Sequence, residues 1–361
     1  MVGDGTVVVA IPVKNEVDRI GACVAALAAQ SQPFDTLLLL LNNCTDGTYE
    51  ACRAMRTSFN LQIIQCTLPP ARASAGEARR LALAHGLMMC RDGVILTTDA
   101  DAVPDREWIA KNLTAMSRGA DVVCGQACLL PEDSELLPSR LHQDDTLETS
   151  LLKLLDEIES LINPNPFDPW PRHQHDSGAS IAMRARMLRK AGGAPQVSTG
   201  EDRALVARFR TIDARIRHEP SIVVPVSGRL EGRAENGMAA TIKRRIEMRD
   251  EWTDDRLEPA VDFYRRSLAK ARLREVRQNP AGAASFAADL LINAATLREA
   301  LQAPYFGAAW ENVQDKSPVL RRRRVAFVAV AREIRQALQL RDMLLNNAQP
   351  IDFQAGKLAV G

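Results

Sequence analysis

The sequence predicts an α/β fold in which helices flank a mostly parallel sheet and a helical extension follows at the carboxy terminus. Three observations carry this. Short apolar runs are continuous rather than alternating, the pattern of strands buried on both faces. Segments of helical composition separate one run from the next, the order of parallel strands joined by crossovers. Beyond about Arg229 the strand signals give way to charged helical patterning, through residue 270 and again over 325–343.

Taken in order, residues 6–11 (TVVVAI) are a β-branched run that Pro12 stops, and an alanine-rich helical stretch follows at 20–29. A second strand is expected at 36–41 (TLLLLL), a loop at 42–48, and a helix from about Tyr49. A third strand is expected at 61–66, with a helix over 76–89, and a fourth at 93–98 (GVILTT), which runs into an acidic loop. Ligands of such sheets bind beyond the carboxyl ends of the strands. That directs attention to 12–18, 42–48, 69–76 and 99–105. Residues 121–126 (DVVCGQ) read as a further strand and 147–162 as an amphipathic helix. Residues 163–175 (NPNPFDPWPRHQH) are too rich in proline for regular structure, and rigid loops of that kind often wall a pocket. Helix and strand signals return from Ser177 and end with 222–226 (IVVPV). The division expected from composition is a catalytic domain over 1–228 and a helical extension over 229–361.

The chain has 361 residues, 46 % hydrophobic and 25 % charged, enough to bury a large core. Lys and Arg number 46 against 45 Asp and Glu, a formal charge of +1 that provides no global field for nucleic acid. The seven cysteines are scattered and never spaced as CxxC, which argues against a disulfide framework and a thiolate zinc site and favours a reducing, cytoplasmic location. No apolar stretch approaches the roughly 20 residues of a bilayer span, and no signal peptide is read at the start.

Asp99 and Asp101 alternate directly after a hydrophobic strand, so extended backbone puts both carboxylates on one side. Two carboxylates there make a hard oxygen site for Mg²⁺ or Mn²⁺, able to bridge to diphosphate oxygens. The competing reading is a solvated turn with helix-capping aspartates, and Asp105, ahead of the helix containing Trp108, reads as such a cap. Glu201 and Asp202 follow a glycine and precede an apolar helical stretch. One of them caps that helix, or Asp202 serves as a general base toward a hydroxyl.

Six segments together resemble family 2 glycosyltransferases of the GT-A fold: 7–16 (VVVAIPVKNE), 38–48 (LLLLNNCTDGT), 76–86 (GEARRLALAHG), 94–104 (VILTTDADAVP), 177–184 (SGASIAMR) and 191–209 (AGGAPQVSTGEDRALVARF). They occur in the family's order and cover about residues 6–226. The resemblance implies a Rossmann-like GT-A sheet and transfer of a sugar from a nucleotide-diphosphate-sugar donor to an acceptor hydroxyl, assisted by Mn²⁺ or Mg²⁺. It places Pro12, Asn15 and Glu16 near the base or ribose of the donor. The loop with Asn42 and Asp46 faces the base but lacks the family's usual acidic pair, so the base is left open and Asp46 is expected to structure the loop. Asp101 matches the direct metal ligand of the DxD motif, Asp99 reaches the ribose or a metal-bound water, and Arg79 approaches the diphosphate. Asp202 matches the catalytic base of inverting members, with Glu201 orienting the acceptor or the loop.

Some relatives use a His late in the domain as a further metal ligand, which makes His218 a candidate and retention the alternative outcome. His173 or His175 is placed near the acceptor or the leaving phosphate, Trp170 is a candidate sugar platform, and Arg229 is placed beside phosphate by position alone. His85 and His142 carry no such context. A nucleotidyltransferase would need a glycine-rich phosphate loop after the first strand, which IPVKNEVDRI lacks. An inactive carbohydrate-binding or interaction protein is motivated by the altered Asn42 loop and opposed by the intact Asp99, Asp101 and Asp202. In the extension, the basic run Arg321, Arg322, Arg323 and Arg324 is a candidate peripheral contact with the inner face of a membrane. The extra helices are a candidate homodimer surface.

Overall fold

The computed structural model describes residues 5–232 and 237–346. It opens with β1 (Val7–Val13), α1 (Ile20–Ala28), β2 (Thr36–Asn42), α2 (Thr48–Ala54), β3 (Asn60–Cys66), α3 (Ala75–Met89) and β4 (Val94–Thr97). Next come α4 (Trp108–Ser117), β5 (Val122–Leu129), α5 (Pro131–Glu135), α6 (Ser139–Ile162), β6 (Ile181–Arg184), α7 (Ala185–Lys190), α8 (Glu201–Thr211) and β7 (Ile216–Val226). The remainder is helical: α9 (Met238–Glu247), α10 (Ala260–Gln278), α11 (Ala283–Asp289), α12 (Ala294–Leu301), α13 (Phe306–Lys316) and α14 (Val330–Leu345). The fold class expected from the sequence therefore stands.

The described chain falls into two compact units. One takes the described residues up to 137 with 172–210 and 214–247; the other takes 138–171, 211–213 and the described residues from 248 onward.

The first unit is built on a seven-stranded sheet in the order β3-β2-β1-β4-β6-β5-β7. Strands β3, β2, β1 and β4 run parallel, β6 lies antiparallel between β4 and β5, and β7 is parallel to β5. Val8, Val9, Ala10 and Ile11 of β1 and Leu37, Leu38, Leu39 and Leu40 of β2 are fully buried, which is why these runs do not alternate. Pro12 does not stop β1, as the sequence suggested; the strand continues to Val13. The pairing with β4 ends at Ala10 opposite Thr97, so one edge of β1 is unpaired at Pro12 and a residue without an N–H is tolerated there. The edge strand β3 has exposed Gln62 and Gln65, a polar face that suits a strand with one open edge.

The second unit is helical around two apolar clusters. In one, Leu151, Leu155 and Ile158 of α6 meet Phe263 and Tyr264 of α10 and Val330 and Ala337 of α14. Each such buried Leu, Ile, Val or Phe contributes roughly 1.5–3 kcal/mol. In the other, Leu273 and Val276 of α10 pack with Phe286, Leu297 and Val313. The buried Glu333 of α14 accepts the N–H of Ala260 at 2.9 Å, capping α10 where no side chain of its own does so. Three arginines of the basic run are engaged within this unit. Arg322 lies 3.5 Å from Glu258, Arg323 pairs with Asp262 at 2.5 Å, and Arg324 donates to the Thr253 carbonyl and covers Trp252. No helix among the described residues is long and apolar enough to cross a membrane.

Candidate active site

The loops that follow β1 and β2 are laced together. Asn15 (φ 54°) and Asn43 (φ 51°) adopt the left-handed backbone that Asn tolerates better than most residues. Asn15 Oδ1 accepts the Thr45 N–H at 2.8 Å, and Thr48 Oγ1 accepts the Glu16 N–H at 2.9 Å. The Asp46 carboxylate accepts the Thr48 N–H at 3.0 Å and the Val17 N–H at 3.4 Å, so it builds the loop and the start of α2. Asn43 exchanges two hydrogen bonds with the backbone of Leu68, at 2.9 and 3.0 Å, and Asn42 is buried at the end of β2. A cleft of about 320 Å³ opens here, lined by Asn15, Glu16, Arg19, Arg229 and Glu231 among others.

The acidic turn after β4 faces a second arginine. Arg229 donates to both carboxylate oxygens of the buried Glu16, at 2.6 and 2.5 Å, and its Nη2 stands 3.3 Å from Asp101. Burial, and then the charge of Asp99, push the Asp101 carboxyl up to about 6, against the opposing pull of Arg229. Asp105 accepts the Glu107 N–H at 2.7 Å in the turn ahead of α4, but Glu107 is the N-cap and no side chain caps the helix, so Asp105 shapes the turn rather than taking the capping role expected of it. Trp108 is buried, with its indole N–H on Ser180 Oγ at 2.9 Å.

Arg79, on α3, is the link between the strand end and the first turn of α8. Its Nη2 donates to Asp99 Oδ1 at 2.5 Å and its Nε to Glu201 Oε1 at 3.1 Å, while Nη1 reaches Thr97 Oγ1 at 2.8 Å and the Gly178 carbonyl at 3.2 Å. Four of the five N–H donors of a guanidinium are thereby engaged. Burial would lower the Arg79 pKa, but Asp99 and Glu201 outweigh it and hold the group charged. Asp202 Oδ2 accepts the Gly178 N–H at 3.0 Å and Oδ1 accepts the Arg203 N–H at 2.8 Å. Burial, and then Glu201, raise the Asp202 pKa above its ordinary value.

A further cluster joins Asp176, two residues before Gly178, to the exposed Arg210 and the buried His218. Arg210 donates to both oxygens of Asp176 at 2.9 Å, and His218 Nε2 lies 3.3 Å from both Asp176 Oδ1 and Arg210 Nη2. Burial would raise Asp176, but Arg210 and then His218 prevail and hold it well below the usual carboxylate range. Cys124, Asp176 and His218 bring ligand-type atoms within 4.8 Å of one another. His173 stands edge-on to His218 and to His175, each at 5.5 Å.

Residues 8–165 match the family model described as glycosyl transferase family 2. Over 121 residues the chain is 28 % identical to glycosyltransferase AglE of Haloferax volcanii; the match takes in 32 % of this chain and spans 38 % of that relative's length. Among solved structures, the chain is similar to S. aureus TarS 1-349 in complex with UDP-GlcNAc, with 17 % identity, 94 % and 92 % of the two chains covered, and a TM-score of 0.46. It is also similar to the mannosyltransferase PcManGT from Pyrobaculum calidifontis in complex with GDP-Man and Mn2+, with 19 % identity, 87 % and 88 % covered, and a TM-score of 0.46.

Arg79 gathers Asp99, Glu201 and the Gly178 turn that holds Asp202, and Arg229 joins Glu16 to Asp101. Pro12, Asn15, Asn42 and Asp46 lie in or beside the adjoining strand ends. His218 belongs to the Arg210 and Asp176 cluster. His85 is half-buried on α3 and His142 exposed on α6. Sequence reasoning left Arg229 to position alone and gave no role to Thr97 or Gly178. An arginine closing the strand IVVPV was the available signal.

Proposed function

We propose that the chain transfers a sugar from a nucleotide-diphosphate-sugar donor to an acceptor hydroxyl with inversion, and that Asp202 is the general base. The observation that carries this reading is the Arg79 guanidinium. It binds Asp99, at the donor end of the sheet, and Glu201, the neighbour of Asp202, so donor and base belong to one site. Residues 1–228 are proposed as the catalytic portion and 229–361 as its extension, with Arg229 reaching back into the site.

The residues fit a divalent cation. Five carboxylates (Glu16, Asp99, Asp101, Glu201 and Asp202) are accompanied by two guanidiniums, Arg79 and Arg229, and burial and then the charge of Asp99 hold Asp101 up. Asp101 and Asp99 would hold Mn²⁺ or Mg²⁺ through hard oxygens, and the ion supplies neutralisation of the donor diphosphate when bound. Asn15, Asn42 and the loop built by Asp46 would receive the nucleoside. Asp202 takes the proton of the acceptor hydroxyl as that oxygen attacks the anomeric carbon and the bond to the diphosphate breaks. A base raised above the ordinary carboxylate range accepts that proton more readily, and the Gly178 and Arg203 N–H groups keep its oxygens aimed.

A second reading, retention with His218 as a metal ligand, is favoured by the 4.8 Å grouping of Cys124, Asp176 and His218. It is opposed by Arg210, which already occupies both Asp176 oxygens. Thermal shifts with UDP, GDP, TDP and CMP, each with and without Mn²⁺, test the donor class. A diphosphate-specific, Mn²⁺-dependent shift that Asp101→Ala abolishes is expected. No shift with any nucleotide would overturn the reading.

A further inference from the structure

The Arg210, Asp176 and His218 cluster has no part in the mechanism above, yet it is attached to it at two points. Asp176 stands two residues before Gly178, whose N–H is held by Asp202 and whose carbonyl accepts from Arg79. Arg210 lies on the same helix as Asp202, about 12 Å farther along its axis at 1.5 Å per residue. The turn at 176–178 is therefore fastened to α8 twice, by Gly178 onto Asp202 near the amino end and by Asp176 onto Arg210 near the carboxyl end. Between those points α8 is seated by Leu205, Val206 and Phe209, all buried. Apolar packing is non-directional and lets a helix roll slightly, whereas a forked guanidinium–carboxylate pair fixes an orientation. His218, buried on β7 with Cys124 of β5 as its register partner, backs that pair from the sheet.

We propose that Arg210, Asp176 and His218 form a clamp that sets the angle of α8 and so aims the Asp202 carboxylate at the acceptor hydroxyl. The proposal rests on Asp202 being the base. These three are positioning residues, and His218 acts through Asp176 rather than on a cation.

The test uses the full chain and two kinds of readout. The first is independent of activity. Hydrogen exchange at residues 176–180 and 201–205 is expected to speed up at least tenfold in Arg210→Ala, with residues 7–13 unchanged. The second is release of nucleoside diphosphate from a panel of UDP- and GDP-sugars, with water as acceptor. Turnover in Arg210→Ala is expected to fall about tenfold to a hundredfold, the scale of a misplaced catalytic group. The donor KM and the Mn²⁺-dependent shift with UDP or GDP stay as in the wild type. Arg210→Lys recovers only part of the turnover, because an ammonium does not fork. In an Asp202→Asn background Arg210→Ala costs nothing further, since the clamp acts through that carboxylate.

Unchanged exchange at 176–180 and 201–205, or a full additional loss in the Asp202→Asn background, would overturn the clamp. So would weaker Mn²⁺ binding by His218→Ala, read from the free Mn²⁺ spin-resonance signal. Asp176→Asn is the second variant if Arg210→Ala does not fold. A wild type that neither binds nucleotide nor releases it marks failure of the transferase reading, and the exchange measurement then decides the clamp by itself.

Discussion

Asp101 is held in a form that suits binding and opposes folding. Its carboxyl is pushed up to about 6 from an ordinary 3.8 by burial and then by Asp99. A carboxyl raised in the folded state binds its proton more tightly there than in the unfolded chain. The resulting stability is present at low pH and is lost as pH rises from about 4 through about 6. Asp101→Asn is therefore expected to raise stability at pH 7 by up to about 3 kcal/mol while removing Mn²⁺-dependent nucleotide binding. Urea denaturation at pH 7 and at pH 3.5 checks this, because the gain should vanish at the lower pH. Arg229 pulls the same carboxyl down, so in Arg229→Ala the pH midpoint of the Mn²⁺-dependent nucleotide shift should move upward. Gly178→Ala would bring a Cβ within 2.4 Å of Arg79 Nη2, forcing that guanidinium off Asp99. A loss of about 1–3 kcal/mol in denaturation and a fall in donor hydrolysis are expected together. The carboxylates of the site were legible in the sequence because they sit at strand ends and beside a glycine. Their cationic partners were not, since Glu16 and Arg229 are brought together only by the completed sheet.

Elements were read best where both faces are buried. The runs at β1, β2 and β4 are continuous because every residue in them but Pro12 is buried, and length alone separates them from helices. Helix α6 was expected at 147–162 but begins at Ser139, and the difference has a specific cause. Its first turns carry Arg140, His142, Gln143, Asp144 and Asp145, which mask the apolar period. Asp144 and Glu148 are nonetheless buried, the first paired with Arg249 and the second accepting the Asp254 N–H at 2.7 Å. Strand β6 is short and antiparallel, and nothing local distinguishes IAMR from its parallel neighbours. At this scale the cap on α10 is the most testable contact. Glu333→Ala leaves the Ala260 N–H buried without its acceptor, and a loss of about 1–3 kcal/mol in urea denaturation is expected.

For the molecule as a whole, a formal charge of +1 sits beside an imbalance in the candidate site, where five carboxylates meet two guanidiniums. With no divalent ion present, anionic nucleotides should be repelled, so added NaCl should strengthen their weak binding by screening. Titration of UDP or GDP in chelator at rising salt checks the sign. Composition changes along the chain near residue 229, whereas packing gathers α6 with α10 and α14. A boundary read from composition follows chain order, and long-range helix packing is not written there. The sheet order also has a consequence during synthesis. Strand β5 pairs with β6 and β7, and both follow it in the chain. At roughly 5–20 residues per second, its apolar VVC segment emerges from the ribosome several seconds before either neighbour exists. Nascent chains halted between β5 and β6 are therefore the ones a chaperone should hold longest.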